Sequence, residues 1–225
     1  MPPQPTQSRC EPFADDSSAP PVRGFLHHPP TPHGTGLVLT HGAGGNCGSP
    51  LLVALAETFA DAGYFVLRCH MPFRQNRAFG PPRPGDAAHD REGLDHAVTA
   101  LRKFAPRVFL GGHSYGGRQS TMLCAEQPDL ASGLLLLSYP LHPPRKPDQL
   151  RIQHLPKLHT PALFVHGTRD PFGSIEEMEQ ALSLIPAKTA LLQVEGAGHD
   201  LGFKGKANNR DLLGPVFSRF TSLFS

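Results

Sequence analysis

A chain of 225 residues, 39% hydrophobic and 18% charged, has the length and composition of one α/β domain with a sizeable core. Its formal net charge of +2, with both signs interspersed, argues against a nucleic-acid partner. Cys10, Cys47, Cys69 and Cys124 lack the paired spacing of a zinc site or a disulfide framework, and no run of about 18 apolar residues could cross a membrane.

No metal and no cofactor is therefore expected. The first ten residues contain no apolar signal-peptide region, so the expected location is cytoplasmic, as a monomer or homodimer. Proline is unusually frequent, and its clusters at 2–32, 72–84 and 140–147 mark segments outside regular elements.

In chain order, residues 1–21 are polar and proline-rich and are expected to be poorly ordered, ahead of a single domain over 22–225. Val22 to Leu26 has the pattern of an edge strand. Leu37 to Thr40 is a buried-strand run that leads into His41-Gly42-Ala43-Gly44-Gly45-Asn46. Helical periodicity covers Pro50 to Asp61, Tyr64 to Leu67 is the next strand, and a long arginine- and proline-rich loop runs from His70 to about Ala88. A second helix spans Arg91 to Phe104. Strand Arg107 to Leu110 is followed by helix Tyr115 to Glu126. Further strands are predicted at 133–138, 162–165 and 191–194, and helices at 174–184 and 212–224. Alternating strands and helices specify an α/β fold with a doubly wound, mostly parallel sheet, whose site forms at the carboxyl ends of the strands.

Gly112-His113-Ser114-Tyr115-Gly116 fits G-x-S-x-G, the strand-to-helix turn that presents a nucleophilic serine. A serine hydroxyl needs a base, an orienting acid and an oxyanion hole. His199 lies just past the last strand among small residues, and Asp170 follows the strand that ends at His166. The order Ser114, Asp170, His199 is that of the α/β-hydrolases. Asp200 is a weaker candidate, because adjacent side chains rarely share one hydrogen bond. Backbone N–H groups of Tyr115 and Ala43 are the expected oxyanion donors. The glycine-rich loop at 41–46 lacks the Gly-Lys-Ser/Thr ending of a phosphate-binding loop, and Cys47 stands where a dinucleotide fingerprint needs glycine.

These residues, with Leu67 to Arg74, Ser138 to His142 and His166 to Asp170, resemble the α/β-hydrolase superfamily over about 22–225. The chain looks like its small, lidless, dienelactone-hydrolase-like members. More narrowly, it is similar to the family that includes the hydrolase-like domain of KAT-complex regulatory subunits and a testis-expressed protein. The resemblance implies Ser114, Asp170 and His199 as the triad. The chain departs from dienelactone hydrolase itself, whose nucleophile is cysteine, so lactone substrates do not carry over. Some narrower relatives are complex subunits, so a non-catalytic, partner-binding scaffold is the rival to an esterase acting on a small acyl substrate; a thioesterase or peptidase is a third reading.

About 20 residues between Pro140 and Thr160, four of them proline, are too few for a helical lid, so an open site is expected. Arg74 or Arg77, in a loop whose other charges are Arg83 and Asp86, could meet an anionic group on the substrate, and Tyr139 and His142 could line the rim.

Overall fold

The computed structural model describes residues 7–204 and 208–225. Its strands are β1 (Arg9–Asp15), β2 (Val22–His28), β3 (Thr35–Thr40), β4 (Tyr64–Cys69), β5 (Arg107–His113), β6 (Leu134–Leu137), β7 (Ala162–Gly167) and β8 (Thr189–Val194). The helices are α1 (Pro50–Asp61), α2 (Pro72–Asn76), α3 (Asp86–Arg102), α4 (Tyr115–Glu126), α5 (Ile175–Leu182) and α6 (Leu213–Phe224). One eight-stranded sheet has the order β1-β2-β4-β3-β5-β6-β7-β8. It is antiparallel at β1-β2-β4 and parallel from β4 onward.

The side-chain period of two explains the layering. Leu37 and Leu39 of β3 join Leu135, Leu137, Leu163 and Val165 under α1 and α6, while Val38 joins Leu110, Leu134 and Leu136 under α3 and α4. All four residues of β6 are fully buried, as a central strand covered on both faces requires. Phe220 of α6 meets Phe59 of α1 and Phe109 of β5 edge-on at centroid distances of 5.0 and 4.9 Å, closing that layer.

Three expectations need correction. Residues 9–15 are not irregular: they form β1, so β2 is an internal strand rather than the edge. Pro12 is tolerated because β1 is the outermost strand. Phe13 packs on Phe104, and Asp15 pairs with Lys103 at 2.7 Å. Residues 1–6 of the same expectation lie outside the described residues. The third correction concerns the loop from His70 to Ala88, which contains α2 and the first turn of α3. Pro72 starts α2 with its φ preset, and the buried Asp90 of α3 accepts the Phe73 N–H at 3.0 Å. That cap comes from another helix, so local sequence could not show it.

Between Pro140 and Thr160 the only regular element is a single 3-10 turn, at Leu155–Lys157. No helix among the described residues is long and apolar enough to cross a membrane.

Candidate active site

Strand β3 sends the chain to β4 on one side, and its other neighbour is β5, so the order reverses between β3 and β5. Loops leaving adjacent strands at such a reversal splay apart and leave a crevice. The loop after β3 (41–46) and the turn after β5 (Ser114) meet there. Ser114 adopts φ 52°, ψ −115°, a region a side chain rarely occupies. The turn has room only for glycine at Gly116, where a Cβ would lie 2.7 Å from the His41 carbonyl oxygen. Gly42 is also tight: its Cβ would come within 3.0 Å of the His113 ring and 3.3 Å of Ser114 Cβ.

Ser114 Oγ lies 2.8 Å from His199 Nε2, and His199 Nδ1 lies 2.8 Å from Asp170 Oδ2. A carboxylate only accepts, so Nδ1 carries the imidazole proton and Nε2 is left to accept from the serine hydroxyl. Asp170 is buried, and its other oxygen accepts the Phe172 N–H at 2.9 Å, which fixes the carboxylate plane. The Phe172 ring stacks on the His199 imidazole at a centroid distance of 4.1 Å. His113, beside the serine, donates through Nε2 to the His199 carbonyl at 2.7 Å and ties the β8 loop to the β5 turn.

Ser114 stands at the amino end of α4, whose first N–H groups, Tyr115's among them, have no intrahelical acceptor. The Tyr115 side chain is pinned by its hydroxyl, which donates to Asp90 Oδ2 at 2.7 Å. Opposite it, the Gly42 carbonyl accepts from His41 Nδ1 at 2.9 Å and from the Gly45 N–H at 3.1 Å. A trans peptide then turns the Ala43 N–H in the opposite direction. His41 Nε2 in turn accepts the Met71 N–H at 3.2 Å.

Arg74 is where the expectation of a substrate contact needs correction. It is 7% exposed, and its guanidinium donates to the carbonyls of Ala43 (2.8 Å), Gly45 (2.9 Å), Arg77 (3.2 Å) and Gly80 (2.9 Å). Four of its five N–H groups are thereby used on backbone, and the planar fork clamps the 41–46 loop. Replacing Arg74 with Met should lower kcat for p-nitrophenyl acetate by about 10²-fold, the scale of a displaced transition-state donor. It should leave the preference between charged and neutral esters as it was; steady-state kinetics on both ester types checks this.

Arg77 is likewise committed, to Asp86 at 2.6 Å and to the Pro81 carbonyl. Tyr139 is 1% exposed, with its hydroxyl on the Arg151 carbonyl at 2.7 Å, so its neighbour Pro140 reaches the surface of the site instead. His142 is buried between the Pro143 carbonyl and Glu177.

Two depressions share Ser114, Ala43 and Phe172. One is a cleft of about 340 Å³ walled by Pro81, Pro82, Pro140, Arg118 and Arg151. The other is a groove of about 730 Å³ running past His199 to Pro50 and Phe203. Sequence reasoning missed both arginines. Arg118 had a signal, since a residue four positions after Ser114 on a helix shares its face one turn on. Arg151 had none.

The model of the Alpha/beta hydrolase domain family matches residues 33–212. The chain belongs to that family. Its fold is similar to that of a dienelactone hydrolase from Anabaena variabilis, with 21% identity, a TM-score of 0.77 and coverage of 98% of this chain and 100% of that one. Est1E from Butyrivibrio proteoclasticus is similar at 17% identity and a TM-score of 0.73, over 97% of this chain and 99% of Est1E. So is a serine hydrolase without lid from Xanthomonas campestris, at 16% identity and a TM-score of 0.67 over 98% of both chains.

The histidines that brace this α/β-hydrolase site carry a consequence for stability. Burial lowers His41 and His113 from 6.5 to about 4, and His27 and His154 away from the site shift as far for the same cause. The folded state thus disfavours their charged form. The unfolded chain takes up protons near pH 6.5, whereas the folded chain does not until near pH 4. Their contribution to stability is complete above about pH 6.5, is lost as pH falls toward 4, and changes no further below that. Urea unfolding between pH 8 and 3.5 should show this decline beginning above the range where ordinary carboxylates titrate; a flat profile from 7 to 4.5 would contradict it.

Proposed function

We propose that the protein is a serine hydrolase that cleaves an ester of a small acyl substrate through a covalent acyl-enzyme. The observation that carries this is the unbroken relay from Asp170 to His199 to Ser114, both links 2.8 Å, ending on a strained serine at a helix amino terminus. In the first step Ser114 Oγ attacks the ester carbonyl carbon as its proton passes to His199 Nε2. Asp170 holds the imidazole by Nδ1–H and stabilises the imidazolium. The carbonyl oxygen becomes an oxyanion that the N–H groups of Tyr115 and Ala43 would receive. Collapse expels the alkoxide, which takes the proton from Nε2. Water then attacks the acyl-serine by the same route, releasing acid and restoring Ser114.

The open cleft and groove, with only a single 3-10 turn in the 140–160 segment, support small or extended substrates that enter without a lid motion. Thioesters fall within reach of the same relay. A fluorophosphonate probe should label the wild-type chain at Ser114, and a panel of p-nitrophenyl esters from acetate to octanoate should show turnover with a short-chain optimum. A chain that neither reacts with the probe nor turns over any ester or thioester would instead be a hydrolase-fold scaffold.

A further inference from the structure

Arg118 and Arg151 face the same cleft from two unrelated elements. Arg118 projects from α4 one turn beyond Ser114, and its backbone N–H bonds the Ser114 carbonyl at 2.9 Å. Arg151 comes from the short 140–160 segment. Its backbone N–H bonds the Leu141 carbonyl at 2.8 Å, its own carbonyl accepts the Tyr139 hydroxyl, and one guanidinium nitrogen donates to the Pro140 carbonyl at 3.2 Å. Arg151 is therefore held in place with most of its donors still free. Arg118 is less satisfied: its Nε is buried with no hydrogen-bond partner among the described residues.

Two cations so placed would normally be neutralised. Among the described residues neither guanidinium has an Asp or Glu within 4.0 Å, and the undescribed residues 1–6 and 205–207 contain no acid at all. Burial, and then the charge of Arg118, push Arg151 below its ordinary value, and Arg118 also helps to hold His154 neutral. The phenol of Tyr139 stays neutral, pushed up to about 12 by burial. Two half-buried guanidinium groups in one cleft with no carboxylate between them, one with its Nε enclosed, cost stability. A bound anion removes that cost.

We propose that Arg118 and Arg151 form an anion subsite, so that the preferred substrate is an ester carrying a carboxylate on the acyl side. This rests on the esterase reading above and names its substrate class. Arg118 follows Ser114 by one turn and lines the same cleft, which favours a short arm between the scissile carbonyl and the charged end. The cleft of about 340 Å³ has room for such a short arm. The alcohol half would then lie along the groove past His199. Hydrolysis of such a monoester consumes water and yields a dicarboxylate and an alcohol, with no further reactant.

The test compares mono-p-nitrophenyl glutarate with its methyl diester at fixed ionic strength. The wild-type kcat/KM ratio of anionic to neutral ester should exceed one. It should fall by about 10- to 100-fold in Arg118→Gln or Arg151→Gln, the scale of a lost charge-assisted hydrogen bond. Arg118→Lys should recover part of the ratio, because the charge returns without the planar fork. A phosphate-bearing ester run alongside reports whether the subsite prefers carboxylate. Calorimetric binding of monoethyl glutarate to Ser114→Ala, with and without Arg118→Gln, gives a readout independent of turnover.

The outcomes separate the two readings. Ester turnover with an unchanged ratio in both Gln variants overturns the subsite and leaves the esterase. Absence of turnover, with arginine-dependent binding of monoethyl glutarate, overturns the esterase and leaves the subsite. Absence of both turnover and binding overturns both.

Discussion

Ser114→Ala should lower kcat for p-nitrophenyl acetate by about 10⁵-fold or more and abolish both the acylation burst and fluorophosphonate labelling. The hydroxyl is the atom that His199 Nε2 can activate at 2.8 Å. Without it, water must attack directly, aided only by the oxyanion donors and by binding, which together give far smaller rate enhancements. The change should spare the fold. Ser114's hydroxyl supports no other hydrogen bond among the described residues, and alanine carries the same Cβ into the φ 52° conformation. A thermal melt close to wild type, with labelling lost, is the expected pair of results. Labelling of the variant at the wild-type rate would remove Ser114 from the mechanism.

Asp170→Asn should cost about 10⁴-fold in kcat with little effect on KM. Asparagine is nearly isosteric, so the reason lies in protons rather than packing. The Phe172 N–H bonds Oδ1 at 2.9 Å and requires an acceptor there. Asparagine satisfies that contact with its carbonyl oxygen, which leaves its NH₂ facing His199 Nδ1. The imidazole then turns to the tautomer with its proton on Nε2, aimed at the serine hydroxyl, and can no longer accept from it. The double variant Ser114→Ala, Asp170→Asn should be no slower than Ser114→Ala alone, because the three groups act as a unit. Additive losses in that cycle would show that Asp170 acts apart from the relay.

How much of this was legible in advance differs by element. Helices α1 and α4 begin and end where periodicity places them, because each has a strong local start or stop: Pro50 at the first helical position, the glycine turn around Ser114, and Gly63 just beyond α1. Strands β3, β5, β6 and β7 are readable as apolar runs, though the structure extends β3 and β7 by two residues and β5 by three, and trims β6 by one at each end. At their carboxyl ends the pattern yields to polar and glycine residues whose pairing is set by the neighbouring strand. β1 was not readable, since a charged segment with a proline becomes a strand only because β2 offers it an edge. For the same reason α2, capped from α3 by Asp90, carries no helix signal of its own beyond Pro72.

The arginines divide along the same line. Sequence places Arg74 and Arg77 in a basic loop at a strand's carboxyl end, the right neighbourhood for a ligand contact. Which way a guanidinium points depends on the carbonyls that surround it. Arg74 is used up by four of them and Arg77 by Asp86, while Arg118 on a helix and Arg151 in a second basic segment are left without an acid among the described residues.

The amino-acid sequence alone determined the α/β class and the parallel core, and put forward Ser114, Asp170 and His199 in that order as candidates, because strand periodicity, glycine at a strained turn and acid-base chemistry are local properties of residue type and spacing. The tertiary structure alone decided that Ser114 and Asp170 each come to 2.8 Å from the His199 ring, that Arg74 clamps a loop, and that two arginines line the cleft beside the serine. Those facts are contacts between strands and loops far apart in the chain, made where β3 and β5 part at the sheet's reversal, and no local pattern encodes which side chain reaches across that crevice.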